Sequence, residues 1–167
     1  AAIVEVVWAL CLDRPATALV ERRSLAERAV RAARAHGDPL TLLQALHAQQ
    51  LAMQMMLVDP DVVLASCTEA MGIVLQTRNL MMGSLITSQQ LNALMRAGRL
   101  ADLRTLQHQA ITVQPLVPDV AYAWATRART ASLALVDDDL DLAERLVADA
   151  RGIGEPLAGN RPAEEYI

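Results

Sequence analysis

Between positions 137 and 151 the chain reads DDDLDLAERLVADAR, an acidic turn followed by an amphipathic stretch. Leu140, Ala143, Leu146, Val147 and Ala150 recur at three- and four-residue spacing and share one face of a helix; Asp141, Glu144, Arg145 and Asp149 fall elsewhere. The element recurs upstream. The small or apolar residue at its centre, Ala143, has counterparts at Leu103, Ala65 and Ala26, separated by 40, 38 and 39 residues. Helix-start signals keep the same interval. Asp38, Asn79, Asp119 and Asn160 precede apolar runs and lie 41, 40 and 41 residues apart. Their side-chain oxygens accept hydrogen bonds from the free amides of a first helical turn.

A self-similarity of about 40 residues predicts stacked helical hairpins, two helices to a unit. First helices, those after the Asp or Asn cap, are predicted over 39–56, 80–97 and 120–136. Second helices are predicted over 22–36, 60–77, 99–114 and 139–153. The expected fold class is therefore all-α, in a single domain over 1–167.

Residues 1–12 are apolar nearly all round, interrupted only by Glu5. By the period they form a first helix without its start, so the chain is expected to be part of a longer protein in which this helix packs on a preceding one. Residues 13–21 read as an irregular joint, because Arg14 precedes Pro15 and is pushed out of the helical region. Gly37 is a stop signal, and Asp38-Pro39 a start. Ile153-Gly154 and Pro156 are expected to end the last full helix, and Asn160 to open a further repeat.

Composition supports a helical core without large rings. Hydrophobic residues make 53% of the 167 residues, which excludes a disordered chain, while aromatics make 2% and Phe is missing. Leu, Ala, Val and Met must fill the interior, and Ala lets helix backbones approach closely. Seven Gly are too few for a turn-rich β protein. A net charge of −4 gives no basic face for direct nucleic-acid binding. The Arg cluster RRSLAERAVRAAR is read as a solvated helix face. No run of about 20 apolar residues is present, and no charged region precedes the N-terminal apolar run, so neither a membrane span nor a signal peptide is expected. Cys11 and Cys67 stand apart from other thiols and from His, as small buried residues suited to a reducing cytoplasm.

Candidate chemistry is sparse. Compared at a spacing of 40, His47, Gln49 and Gln50 correspond to Thr87, Gln89 and Gln90, and then to Arg127, Arg129 and Thr130. Polar residues in register on first helices are candidates to line a groove that takes a peptide or small ligand: His47, Gln49, Gln50, Gln89, Gln90, Arg127 and Arg129. The alternative is a plain solvated face. Met53, Met55, Met56, Met81 and Met82 read as core filling rather than an adaptable surface. His36, His47 and His108 lack metal-site spacing. The run Asp137-Asp138-Asp139-x-Asp141 is too compact for a calcium loop and is read as helix capping. No Ser or Cys is paired with a His in a nucleophile pattern. No catalytic residue, metal or cofactor is expected.

The second-helix pattern Asp138, Leu140, Ala143, Val147, Ala150 resembles that of tetratricopeptide repeats. Gly98, Leu100, Leu103 and Ala110 match it, as do Ala26, Val30 and Ala33. The interval of about 40, against about 34 in that family, makes this similar to a longer-helix relative. The resemblance implies a right-handed superhelix of antiparallel hairpins. The stretches AARAHGDPLTLLQAL (32–46), LMRAGRLADLRTL (94–106) and LALVDDDLDLAERLVADA (133–150) resemble the helical-repeat region of large actinobacterial regulators. In those, an ATP-binding domain precedes such repeats, with a LuxR-type DNA-binding domain or a cyclase domain elsewhere in the chain. The implied function is a non-catalytic cytoplasmic scaffold or sensor that binds a protein, peptide or small effector. The alternative is a homodimerisation module using the apolar N-terminal residues Ile3, Val4, Val7 and Trp8.

Overall fold

A computed structural model describes residues 19–158, and all regular structure in them is helical. Seven α-helices follow in order: α1 (Leu19–His36), α2 (Pro39–Met55), α3 (Pro60–Thr77), α4 (Leu80–Arg96), α5 (Leu100–Val113), α6 (Val120–Val136) and α7 (Leu140–Ala158), with a 3-10 turn, Gln114–Leu116, between α5 and α6. The chain divides into two compact units, Ala1–Arg99 and Leu100–Ile167. In the first, α1 packs on α2, α2 on α3, α3 on α4, and α2 also on α4. In the second, α6 packs on α7, and α5 and the 3-10 turn on α6. Within each unit, short connections fold successive helices back on one another.

The predicted starts hold because the caps form. Asp38 accepts from the Thr41 amide at 2.8 Å, Asn79 from that of Met82 at 3.1 Å and Asp119 from that of Tyr122 at 2.9 Å. Each satisfies an amide that the first turn leaves without an intrahelical acceptor. Asp139 does the same for Leu142 at 3.0 Å, which accounts for part of the acidic run.

The turns from first to second helices share one construction. Val58, Arg99 and Asp139 each donate an amide bond to the carbonyl five residues back, on Met53, Leu94 and Ala134. The residue before each donor, Leu57, Gly98 or Asp138, has φ of +54°, +66° or +59°. This is the Schellman geometry, in which glycine costs least. Leu57 carries a side chain that is 75% exposed. A left-handed conformation costs an L-residue about 1–2 kcal/mol, and glycine's extra unfolded freedom returns about 0.5–1 kcal/mol of that. Leu57→Gly is therefore expected to stabilise the protein by up to about 1 kcal/mol, read as a higher melting temperature; an unchanged or lower one would refute the strain at this turn.

The core repeats at fixed places. The eleventh residue of every second helix is alanine (Ala29, Ala70, Ala110, Ala150), and all four are buried. The fourth residues, Arg22, Val63, Leu103 and Ala143, are buried too. This corrects the central landmark read from the sequence. Ala65 is exposed, and Ala26, Leu103 and Ala143 do not share one helical position. The caps alone keep the true register.

Three further expectations change. Helix α1 already covers Leu19 to Glu21, inside the expected joint, and Arg22 is not on a solvated face. It is 1% exposed, with Nη1 3.7 Å from the Met55 sulfur, while Arg23 and Arg34 lie outside and pair with Glu27 and Glu69. On α6 the apolar spacing of Trp124, Ala128, Ala131 and Leu135 predicts an inward stripe, but of these only Ala131 is buried. Tyr122, Thr126, Ala131 and Ala134 are buried, whereas Leu135 is exposed and Trp124 and Ala128 only half-buried. Met53 and Met82 pack against the core of the first unit as expected, but Met55 and Met81 are exposed.

Helix α7 also runs on to Ala158, past its expected end at Gly154. A β-carbon on Gly154 would lie 2.9 Å from Cδ1 of Trp124, so the glycine lets the indole lie against the helix rather than stopping it. Gly154→Val is expected to cost about 1–3 kcal/mol, the usual range for overpacking. Gly152→Ala, with nothing within 4 Å of its β-carbon, gains up to about 1 kcal/mol of helix propensity. Thermal melts that shifted in the same direction for both would contradict the packing described.

Candidate functional site

The polar residues singled out on first helices turn out to serve two purposes. In the first unit, His47 and Gln50 on α2 and Gln89 on α4 are buried. Gln50 donates from Nε2 to Ser66 Oγ on α3 at 3.2 Å. Gln89 Nε2 lies 3.5 Å from His47 Nε2, and Gln54, one helical turn beyond Gln50, donates to the Gln89 carbonyl at 2.8 Å. A buried polar group needs a partner, and here the neighbouring helix supplies it. These contacts tie α2 to α3 and α4 instead of facing a ligand. Burial also holds the His47 imidazole down to a pKa of about 4, so it is neutral at pH 7.

Gln49 and Gln90 remain partly exposed. Counted from the first residue of each helix, both are eleventh, and the residue at that place in α6 is Thr130. The uniform spacing of 40 therefore misaligns the first two helices by one residue. Gln49 stands with Gln90, not with Gln89. Burial supports the cap-based count: the seventh (Ala45, Ile86, Thr126) and twelfth (Gln50, Leu91, Ala131) residues are buried in all three first helices.

In the second unit, Arg127 is exposed, with Nε 3.9 Å from a carboxylate oxygen of Asp149 on α7. Arg129 is half-buried near Tyr122. Burial lowers the pKa of the guanidinium and raises that of the phenol; for Tyr122, the positive charge of Arg129 and a bond to Thr126 oppose the rise. A residue that sequence reading passed over, Gln107 on α5, is buried and donates to the Thr126 carbonyl at 2.8 Å and to Thr130 Oγ at 2.9 Å. Its position is the clue. It is the eighth residue of its helix, where α1 and α3 carry the buried Ala26 and Cys67.

Cys67 is buried, and burial pushes its thiol up to about 12, so it stays protonated and unreactive in the folded chain. Ile3, Val4, Val7, Trp8 and Cys11 lie outside the described residues. Asp137 pairs with Arg104, and Asp139 caps α7. Among the described residues, no group of three or more His, Cys, Asp or Glu is placed to hold a metal ion. No helix among them is long and apolar enough to cross a membrane.

No known family model matches the chain. No curated protein sequence matches it either. The arrangement itself offers packing positions in register and one pair of equivalent, partly exposed glutamines. Neutral amides at matched places on packed helices can exchange hydrogen bonds with peptide groups.

Proposed function

We propose that the chain is a non-catalytic helical-repeat scaffold, with its hairpins stacked as a right-handed tetratricopeptide-like superhelix, in a larger cytoplasmic regulator. It holds a protein or peptide segment on its first helices. The observation that carries this is the pairing of Gln49 and Gln90. They occupy the same place on two first helices that pack on each other, and both remain partly exposed while the amides around them are consumed internally. Repeated hydrogen-bonding side chains along adjacent helices suit an extended segment whose backbone groups also repeat.

The resemblance to regulator repeats supports the setting, and the even use of alanine at helix crossings supports an array built for surface rather than for an enclosed pocket. The test is site-specific photo-crosslinking in cells. A photoreactive residue at position 49 or 90 is expected to capture the same partner, and one at the exposed Glu69 none. Equal capture at all three positions, or at none, would sink the proposal.

A further inference from the structure

Val147 is out of step with its equivalents. It is the eighth residue of α7, where α1, α3 and α5 carry Ala26, Cys67 and Gln107, which are at most 2% exposed; Val147 is 50% exposed. In the first unit the equivalent helix, α3, packs on both α2 and α4, and its Val63 and Cys67 are fully buried. Among the described helices α7 packs on α6 alone. Beside Val147 it opens into an apolar groove of about 410 Å³, whose far wall is Leu135 of α6. Along α7 the groove is lined by Glu144, Val147, Ala148 and Arg151. Residues at i, i+3, i+4 and i+7 form a hole that takes one side chain from a facing helix.

We propose that two copies of this chain pair through the groove, with α7 of each lying antiparallel to α7 of the other about a two-fold axis beside Val147. The charges select both the occupant and its direction. The hole has a carboxylate, Glu144, at one end and a guanidinium, Arg151, at the other, with apolar Val147 and Ala148 between them. A two-fold axis through its middle sets Glu144 of each copy opposite Arg151 of the other, and seats each Val147 in the hole of the other copy. A parallel pair would set Glu144 against Glu144 and Arg151 against Arg151. Among the described residues neither side chain is engaged in an ion pair within its own chain, whereas Arg127 and Asp149 on the same hairpin pair with each other. A helix is also what covers the equivalent face of α3, and a second α7 hides two exposed valines at once. The contact spans about two helical turns, so the pair is a weak and reversible one.

This pairing is separate from the binding function and uses neither Gln49 nor Gln90. Sedimentation velocity of the chain of 167 residues over a concentration series tests it, and the expected result is a reversible monomer–dimer equilibrium. Glu144→Arg and Arg151→Glu each turn both ion pairs into repulsions and should weaken association about tenfold. Mixed in equal amounts, the two weakened variants should associate as tightly as the unmodified chain, because each supplies the charge that the other lacks. Both positions are exposed, so circular dichroism should show each variant folded. A monomer at every concentration would overturn the proposal. A dimer indifferent to both charge reversals and to Val147→Asp would place the contact elsewhere and overturn it too. Failure of the mixture to recover would refute the antiparallel pairing.

Discussion

Gln107→Glu is expected to destabilise the second unit by about 3–5 kcal/mol at neutral pH, although it alters the side chain's shape very little. The amide of Gln107 is 2% exposed and donates to two oxygens, the Thr126 carbonyl and Thr130 Oγ. A carboxylate in its place faces the carbonyl oxygen with no proton to offer, and burial removes the water that would compensate. The folded protein would raise the pKa of the new group above the unfolded value of about 4.3. A raised folded pKa means that the penalty is absent below about pH 4.3 and grows as pH rises through the folded value. Gln107→Met should cost far less. It keeps the bulk, the Thr126 carbonyl still accepts from Thr130 at 2.9 Å, and the buried Oε1, which has no hydrogen-bond partner, is removed. Urea unfolding of the three proteins at pH 7 and pH 5 checks the order. Equal losses for Glu and Met would show that shape rather than hydrogen bonding matters at this place.

Acid should weaken the first unit through His47. In the folded chain its pKa is about 4, against 6.5 for the free side chain, because burial penalises the charged ring. As pH falls below about 6.5 the unfolded chain takes up a proton that the folded chain refuses. Stability from this group is thus complete above pH 6.5, declines between 6.5 and 4, and changes no further below that. The full loss corresponds to about 3 kcal/mol at 1.36 kcal/mol per unit. His47→Gln should remove that slope, whatever it does to stability at pH 7. If the unmodified protein and the variant keep the same pH profile between 6.5 and 4, the buried neutral imidazole is wrong.

Much of the candidate site was invisible in the sequence for a definite reason. Polar residues in the middle of an amphipathic pattern look the same whether they face solvent or a neighbouring helix's polar atoms. His47, Gln50 and Gln89 read as groove lining, yet each meets a polar group on another helix or lies buried between helices. The cap positions were a better guide. They gave helix starts at Pro39, Pro60, Leu80, Val120 and Leu140 to within a residue, because a capping carboxylate or amide acts within three residues of itself. Once counted from those caps, Gln49 and Gln90 become equivalent, which a uniform spacing of 40 hides.

The sequence by itself determined that the chain is helical, where most helices begin, and that the pattern renews about every 40 residues, since caps, turns and apolar periodicity are local properties. Only the tertiary structure decided which face of each helix is inside. On α6 it put Tyr122, Thr126, Ala131 and Ala134 inside and left Leu135 exposed. That choice is made by neighbours: by Trp124 against Gly154, by Arg22 near Met55, and by Gln107 reaching across to Thr126. Packing of this kind depends on residues distant in the chain, so no local pattern can carry it.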